Sequence, residues 1–417
     1  MHPGLAAIAL LFATACGGVE PPLPAIGGEA DRDAMPAWRR FAIDRVLDFR
    51  VASGARAGFV ALVAREGRVA YARTSGMADR EAAIPMSLDT RFHLASMSKA
   101  ITAVAALVLV DEGKLDLDDR LADYVPAFGA ARVVQRRDPT GDFETERLDE
   151  PIRIRHLLTF TSGIGGYAET DDPLDRLWRS PDIERPGLGS LADRIDHVAS
   201  RPLYERPGER WRYGWSADVL ARVVEVAAGR PFDAFLHERI FEPLGMSATG
   251  FPDAVPAEAP FARMYTHDAD GVLVRETRFD GDYGRGWTPG GGGMVGTAPD
   301  YLRFAMMLAN GGALGDARIL RPETVADMMR LHVPSGVLAD RGLEGLGWGL
   351  GVSVVADETR TRMPATNGDV WWSGRFGTQF WISPANDTVV VVLQQTEPSE
   401  TSGLPWAATV VQTLAMP

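Results

Sequence analysis

Thiols and lysine amines are scarce in this sequence of 417 residues. Cys16 is its one cysteine, so neither an internal disulfide nor a thiolate metal cluster can form within the chain. The seven histidines include no pair at the H-x-x-x-H spacing that places two imidazoles on one helix face. We therefore expect no metal and no other cofactor. The basic residues are 41 arginines and only two lysines, Lys99 and Lys114.

Positive charge and long apolar runs are also lacking. The net charge of −13 argues against nucleic acid or an anionic membrane as the main partner. Apolar residues make up 46% and charged residues 24%, which is typical of a globular protein and excludes disordered, collagen-like and multi-span membrane classes. An apolar run at 5–15 is too short to span a bilayer.

That N-terminal run is typical of the core of a signal peptide. Small residues follow it and lead into Cys16, so the segment resembles a bacterial lipoprotein signal, in which the cysteine is lipidated and becomes the first residue. Plain secretory cleavage near the same point is the alternative. We predict a signal peptide at 1–15 and a flexible Gly- and Pro-rich tether at 16–35. The protein is then exported to the periplasm or cell envelope, and touches the membrane only through a lipid at Cys16.

Hydrophobic spacing predicts the main elements of the body. Residues 38–51 have apolar positions at helical spacing, and two short strands at 58–65 and 68–73 surround a Glu66-Gly67 turn. Residues 96–112 form a long helix that is apolar on nearly every face, so we expect it to be buried. In the C-terminal third the patterns predict helices at 299–310 and 403–415, and strands at 348–355, 378–382 and 388–394.

The middle of the chain has few strand patterns. It shows helical and loop-like patterns and a charged insertion at 132–150. Ser216 is predicted to cap a helix that runs to Ala228, and Pro231 to open the next. Strands and helices at both ends predict an α/β (α+β) fold, in which an antiparallel sheet is flanked by helices. The predicted domains are a discontinuous α/β domain (36–115 and 286–417) and an inserted, mostly helical domain (116–285), with the active site in the cleft between them.

Ser96-Met97-Ser98-Lys99 stands at the start of the buried helix. Residues i and i+3 share a helical face, so Ser96 and Lys99 point into the same space. A desolvated lysine can serve as the base that makes a hydroxyl nucleophilic, and N–H groups at a helix start can stabilise an oxyanion. The alternative is that Ser96 only caps the helix and Lys99 reaches solvent. Because Lys99 interrupts an apolar helix in a lysine-poor chain, we favour the catalytic interpretation.

Two further motifs contain residues that can take part in catalysis or in ligand binding. Tyr213, just before a predicted helix, offers a phenol that can act as base or proton relay, although most tyrosines are simply packed. The stretch Trp372-Ser373-Gly374-Arg375 places a glycine in a predicted strand, which allows a ligand or another backbone to approach closely. A bulge or bend in the strand is the alternative.

Taken in this order and spacing, the motifs resemble those of the serine β-lactamase and penicillin-binding-protein superfamily, on its class C-like side. The chain is most similar to the family VIII carboxylesterases. The resemblance covers about residues 37–415 and implies a β-lactamase/transpeptidase-like fold. The stretches that carry it are 92–99, 151–163, 213–229, 241–246, 290–312 and 372–384.

The resemblance implies a role for each matching residue. Ser96 would be the nucleophile that accepts the acyl group, and Lys99 would be its activating base. Tyr213 matches the first position of the family's Y-x-N motif and would share or relay the proton. Gly374 and Arg375 match the end of the K-T-G strand, where the backbone N–H groups of Ser96 and Arg375 would form the oxyanion hole.

The sequence departs from the family pattern at two positions. Trp215 replaces the Asn of Y-x-N, and Trp372 replaces the Lys of K-T-G, giving Trp-Ser-Gly. In β-lactamases and penicillin-binding proteins that lysine helps to hold the substrate carboxylate, and tryptophan makes the site apolar instead. Arg375 or Arg285 remains a candidate for a replacement cation. The substrate-binding residues expected from the resemblance are Trp215, Trp372, Ser373, Gly374 and Arg375.

These observations predict a serine hydrolase, specifically a carboxylesterase that acts on short- to medium-chain acyl esters through an acyl-enzyme on Ser96. The G-x-S-x-G motif of α/β-hydrolases is absent from the sequence. A β-lactamase, a D-amino-acid peptidase or another amide hydrolase of the same superfamily is the alternative, and a non-catalytic envelope binding protein is a more remote one. The expected partner is a small-molecule ester, and the oligomeric state stays open.

Overall fold

The computed structural model describes residues 30–31, 34–138, 141–166, 171–179, 183–184, 187–255, 260–279, 285–334, 338, 343–397 and 406–416. The predicted signal peptide, Cys16 and most of the predicted tether lie outside these ranges. Within them, no helix is both long and apolar enough to cross a membrane.

Most strands are short, and the two longest, β1 and β2, come first in the sequence. The strands are β1 (Gly58–Arg65), β2 (Arg68–Asp79), β3 (Ile84–Pro85), β4 (Phe92–His93), β5 (Arg132–Arg137), β6 (Phe143–Arg147), β7 (Tyr265–His267), β8 (Leu273–Arg275), β9 (Val295–Gly296), β10 (Ala313–Leu314), β11 (Ala317–Arg318), β12 (Leu346–Trp348), β13 (Ser353–Val355), β14 (Val370–Ser373), β15 (Gln379–Ser383) and β16 (Thr388–Leu393).

Helices occupy the remaining regular segments. They are α1 (Ala37–Ala52), α2 (Ser98–Asp111), α3 (Leu121–Tyr124), α4 (Ile154–Leu158), α5 (Pro173–Leu177), α6 (Leu191–Ala199), α7 (Ser216–Ala228), α8 (Phe232–Leu236), α9 (Ala298–Ala309), α10 (Pro322–Met329) and α11 (Trp406–Ala415), with 3₁₀ turns at Ala95–Met97, Pro126–Ala130 and Pro384–Asn386 and a wider turn at His237–Phe241.

The two ends of the chain build one antiparallel sheet of eight strands, in the order β12-β13-β14-β15-β16-β1-β2-β3. They meet where β1 pairs with β16, for example at Val60 opposite Leu393. Along β1 the side chains alternate between two hydrophobic cores, with Val60 and Leu62 in one and Phe59 and Ala61 in the other. Helices cover both faces, which explains why β1 is apolar throughout. The predicted sheet flanked by helices is confirmed.

The two faces carry different helices. Helix α9 packs on β1, β15 and β16 in the larger core, which also contains α2 and α7. Helices α1 and α11 pack on each other and on β16, β1 and β2 in the smaller core. Every group that the sequence predicted to be catalytic lies on or beside elements of the larger core.

Several local predictions are confirmed. The Glu66-Gly67 turn joins β1 to β2 with φ values of +48° and +71°. Helix α1 matches the predicted amphipathic segment. The buried helix begins two residues later than predicted, because residues 95–97 form a 3₁₀ turn before α2. It ends before Gly113, whose φ of +68° suits a glycine.

Other local predictions are wrong. Ser216 does not cap α7 but is its first residue, because its buried hydroxyl bonds the Ser162 hydroxyl at 2.9 Å instead. Pro231 precedes α8 rather than opening it. The charged insertion contains the hairpin β5–β6, whose alternating Arg and Glu side chains hide a strand pattern that apolar spacing cannot detect.

Residues 116–285 hold α3 to α8 together with the hairpins β5–β6 and β7–β8, so the segment is less purely helical than the sequence indicates. The predicted strand at 348–355 is two strands, β12 and β13, that turn back on each other at 349–352. The proposed domain boundaries stay a prediction.

Candidate active site

Ser96 lies on the 3₁₀ turn between β4 and α2. Ala95 has a φ of +47°, a conformation that side chains other than glycine rarely adopt, so the surrounding packing must hold the turn in place. One such contact is the Thr378 hydroxyl, which donates to the Leu94 carbonyl at 3.1 Å. Within residues 91–100, Ser96 alone is not buried. The turn therefore presents one hydroxyl to solvent from an otherwise closed segment.

Lys99 stands one helical turn after this serine and is 1% exposed. Its Nζ donates to Ser96 Oγ at 3.2 Å and to the Gly291 carbonyl, and it lies 4.6 Å from the centre of the Tyr213 ring. The Lys99 side chain is thus enclosed by protein and lies against Ser96. The predicted placement of Ser96 and Lys99 in one space is what the structure shows.

The glycine-rich segment after 289 supplies the carbonyl that holds Lys99. Its Gly291 N–H donates to Asp218 Oδ1 at 2.9 Å, and a Cβ on Gly291 would lie 2.5 Å from Asp218 Oδ2. Only glycine lets the backbone pass this close to the carboxylate. Asp218 therefore fixes the residue whose carbonyl positions the lysine.

Asp218 is 1% exposed, and its Oδ2 has no hydrogen-bond partner among the described residues. Burial raises the pKa of this carboxyl to about 6, and the positive charge of Lys99 opposes that rise. Sequence reasoning did not select Asp218. Its signal was an acidic residue followed directly by the apolar run Val219-Leu220-Ala221 in a buried helix.

Tyr213 precedes α7 and is held by other aromatic rings. It stacks on Phe160 and Trp211 with ring centres 5.4 and 5.8 Å apart. The Trp372 indole N–H donates to the Tyr213 hydroxyl oxygen at 3.2 Å. This tryptophan is 8% exposed and meets Trp348 edge to face at 4.7 Å. An indole donor thus stands against the tyrosine oxygen at the position where the family pattern has a lysine.

Gly374 follows β14 directly and packs against the serine turn. A Cβ there would lie 2.4 Å from the Leu94 carbonyl oxygen and 3.2 Å from Ala95 Cβ, so glycine is required by this close approach. Among the described residues the structure shows no acceptor for the backbone N–H of Ser96 or of Arg375. The two segments that carry these donors therefore lie side by side, as an oxyanion hole requires. Ser373, half-buried, ends β14 beside them.

The arginines that could have replaced the missing lysine are both engaged. The Arg375 guanidinium is paired with Glu397, and it lies 5.6 Å from the centre of the Phe279 ring. Arg285 pairs with Asp253 at 2.7 Å. Neither side chain offers an uncommitted cation for a substrate carboxylate.

Trp215 does not line an open pocket in this structure. It is 1% exposed, and the backbone at Gly165 and Gly166 covers it: a Cβ on Gly166 would lie 2.6 Å from the indole ring. The expectation that this side chain contacts substrate is therefore corrected. The Trp215 side chain instead packs beneath the backbone at Gly165 and Gly166.

Glu184 brings a carboxylate to the same region. The residue is exposed, although neighbouring protein atoms partly desolvate its carboxyl group. This desolvation raises its pKa to about 7, assisted by the negative charge of Asp218 and opposed by the positive charges of Arg375, Lys99 and Arg194. No motif in the sequence distinguished this glutamate.

The described residues contain no group of His, Cys, Asp or Glu side chains that could hold a metal ion. The chemistry available in the site is thus a serine hydroxyl beside a lysine and a tyrosine, with backbone N–H donors nearby.

Known proteins resemble this chain in sequence and in fold. The family model described as Beta-lactamase matches residues 43–415. Esterase EstB from Burkholderia gladioli is 34% identical over 384 residues, which cover 87% of this chain and 91% of that protein.

Solved structures share the fold. EstCE1, described as a hydrolase with promiscuous acyltransferase activity, has a TM-score of 0.77 and 28% identity over 91% of this chain and 98% of its own. Simvastatin synthase from Aspergillus terreus has a TM-score of 0.75 and 22% identity, with 91% of this chain and 98% of that chain covered. The predicted β-lactamase/transpeptidase-like fold is confirmed. By its sequence over nearly the whole body and by its fold, the chain belongs to the beta-lactamase family.

Proposed function

We propose that this protein is a serine carboxylesterase that hydrolyses uncharged esters through an acyl-enzyme on Ser96. The observation that carries the proposal is the contact between Lys99 Nζ and Ser96 Oγ, made where Ser96 is the one accessible residue of a buried segment. The esterase among the relatives gives independent support for the ester chemistry.

The first half of the reaction forms the acyl-enzyme. As Ser96 Oγ attacks the ester carbonyl carbon, its proton passes to the Lys99–Tyr213 pair. The carbonyl π electrons move to the oxygen, where the backbone N–H groups of Ser96 and Arg375 stabilise the negative charge. When the C–O bond of the ester breaks, the departing alkoxide takes a proton from the Lys99–Tyr213 pair and leaves as the alcohol.

The second half repeats these steps with water. The pair removes a proton from water as it attacks the acyl carbon, and returns a proton to Ser96 Oγ when the acid departs. The Trp372 N–H donates to the Tyr213 oxygen and so helps to hold the phenol beside Lys99.

The surroundings of the site favour esters without a carboxylate. Trp372 supplies no positive charge, and Arg375 and Arg285 are committed to Glu397 and Asp253. The Glu184 carboxylate adds negative charge to the cleft at and above neutral pH. Trp372, Tyr213 and Trp211 form an aromatic wall that suits short- to medium-chain acyl groups.

An amide hydrolase of the same family is the alternative. β-Lactams and D-amino-acid peptides bear a carboxylate, whereas Arg375 and Arg285, the two arginines considered as its partner, are each paired with an acidic side chain. A paired assay with a p-nitrophenyl ester and a chromogenic cephalosporin separates the two functions. Faster turnover of the cephalosporin would overturn the ester assignment.

Replacing the nucleophile tests the proposal directly. Ser96→Ala should fold normally and lose ester hydrolysis by several powers of ten in kcat, or roughly 10⁴-fold or more. It should also lose labelling by a fluorophosphonate, whereas Ser53→Ala, an exposed serine in the turn after α1, should keep both. Esterase activity retained in folded Ser96→Ala would show that another residue is the nucleophile, and a wild-type protein that resists labelling would favour a non-catalytic binding protein.

We further propose that the protein is exported and lipid-anchored at Cys16, on the support of the signal-like sequence alone. Mass spectrometry of the mature N-terminus should find a diacylglyceryl cysteine. An unmodified N-terminus near the same point would instead show plain secretion.

A further inference from the structure

Helix α1 exposes an unusual combination of side chains. Trp38, Phe41 and Phe49 are 61%, 64% and 65% exposed, and among the described residues they are the large aromatic side chains most open to solvent. Their spacing places all three on one stripe of the helix, with Arg45 between them, opposite the buried Ile43 and Leu47. We call these four exposed side chains the α1 stripe. It spans roughly 16 Å along the helix axis.

Arginines lie directly against the rings of the stripe. The Arg39 guanidinium is 5.2 Å from the centre of the Trp38 ring, and that of Arg45 is 5.7 Å from the Phe41 ring. Rings with guanidinium groups at their edge suit the boundary between acyl chains and phosphate headgroups, where the ring enters the apolar layer and the cation stays with the phosphate.

The local charge is opposite in sign to that of the whole chain. Helix α1 has four arginines and two aspartates, a net charge of +2, in a chain with a net charge of −13. Asp44 accepts from the Tyr71 hydroxyl, and Asp48 accepts from Arg73 and Ser75 of β2. Asp48 also pairs with Arg45 of the stripe at 2.7 Å, so the net positive charge of the helix comes from its other arginines. The overall acidity argues against anionic membranes as the main partner, but this one face has the charge that attracts them.

We propose that the α1 stripe is a docking surface for an anionic phospholipid bilayer. The helix begins 21 residues after Cys16 in the sequence, so it belongs to the part of the body next to the predicted anchor. A second copy of the chain is a poorer occupant. Three rings at about two thirds exposure offer roughly 400 Å², about half of what one partner buries in a stable dimer.

Docking through α1 leaves the active site accessible. Helix α1 packs on the face of the sheet that belongs to the smaller core, whereas α2 with Ser96 and Lys99 lies on the opposite face. Vesicle binding should therefore leave the hydrolysis of a water-soluble ester unchanged within about twofold.

The test uses the full chain with Cys16→Ser, so that no lipid contributes, and co-sedimentation with phosphatidylcholine vesicles that contain phosphatidylglycerol. The parent should pellet with these vesicles. Combining Trp38→Ser, Phe41→Ser and Phe49→Ser should weaken the partition constant by at least about tenfold. Met77→Ser, Ile84→Ser and Val272→Ser together remove exposed apolar side chains elsewhere, so this control should change binding by less than about twofold.

A second measurement uses one conservative substitution, so that a loss of folding is not mistaken for a loss of membrane binding. Phospholipids brominated on the acyl chains should quench part of the parent's tryptophan fluorescence, and Trp38→Phe should remove that quenchable part. No vesicle binding by the parent, or equal binding by the stripe variant, would overturn the proposal; the latter would assign binding to another segment such as residues 5–15. A dimer that the stripe variant abolishes would assign the face to a second copy instead.

Discussion

The two lysines of the chain stand at opposite ends of helix α2 in opposite surroundings. Lys99, at the start, is 1% exposed and contacts Ser96 and the Gly291 carbonyl. Lys114, three residues past the end, is 55% exposed and pairs with Glu112 at 2.9 Å. An exposed lysine changes the stability of the fold very little, because water stabilises its charge and screens its ion pair. A buried lysine has to be held by specific groups, and at Lys99 those groups place the amine against the Ser96 hydroxyl.

The largest expected effect separates the two lysines. Lys99→Arg keeps the charge but gives up a group that can deprotonate, so kcat for a p-nitrophenyl ester should fall by about 10³-fold or more. Lys114→Arg keeps an exposed cation near Glu112 and should change kcat by less than about twofold. Steady-state kinetics on both variants measures this, and similar losses in the two would remove the distinction.

The next effect concerns Tyr213, which covers Lys99 on one side. Tyr213→Phe keeps the stacking on Phe160 and removes the hydroxyl that relays protons, so kcat should fall by about 10²-fold while KM changes little. Tyr124→Phe removes a hydroxyl that donates to Asp119 and serves as the matched control. Wild-type kcat in Tyr213→Phe would show that Lys99 acts without the phenol.

Two neighbouring tryptophans provide a third comparison. Trp372 donates to the Tyr213 oxygen, whereas Trp371 points into the other core and its Nε1 has no partner among the described residues. Trp372→Phe keeps an aromatic ring but loses the donor, so kcat should fall by about tenfold while KM changes little. Trp371→Phe should leave both kinetic constants near those of the wild type. If the two variants had the same kcat, the indole donor would have no part in catalysis.

The smallest expected effect on kcat comes from Asp218, which positions Lys99 through Gly291. Asp218→Asn keeps an acceptor for the Gly291 N–H and should lower kcat by about tenfold or less. The substitution should have a clearer effect on how the free energy of unfolding depends on pH. A carboxyl with a raised pKa binds its proton more tightly in the folded state, so the free energy of unfolding falls as pH rises from about 4 to about 6.

That pH-dependent loss should be smaller in Asp218→Asn than in the wild type. Asp233→Asn, which changes a more exposed aspartate in α8, should retain it. Urea denaturation of the three proteins at pH 4 and pH 6 measures the difference. An unchanged slope in Asp218→Asn would mean that another buried carboxyl, such as Asp300 or Asp369, causes it, since burial also raises the pKa of each of these.

Local sequence determined a large part of this protein. Helical spacing across the 3₁₀ turn and the first turn of α2 places Ser96 against Lys99, because residues three apart lie on the same face. The Glu66-Gly67 turn and Gly113 mark element ends through backbone conformations that are set over a few residues. The order of the motifs was enough to indicate the family, which the family match confirms.

Tertiary structure alone decided how that pair is used. Trp372 and Tyr213 are 159 residues apart in sequence, and Lys99 and Gly291 are 192 apart, so no local pattern could show that they bond. The burial of Trp215 and the pairing of Arg375 with Glu397 likewise depend on segments from distant parts of the chain. The physical reason is that a hydrogen bond or ion pair acts over a few ångströms, and only the packing of sheet and helices brings such residues within that range.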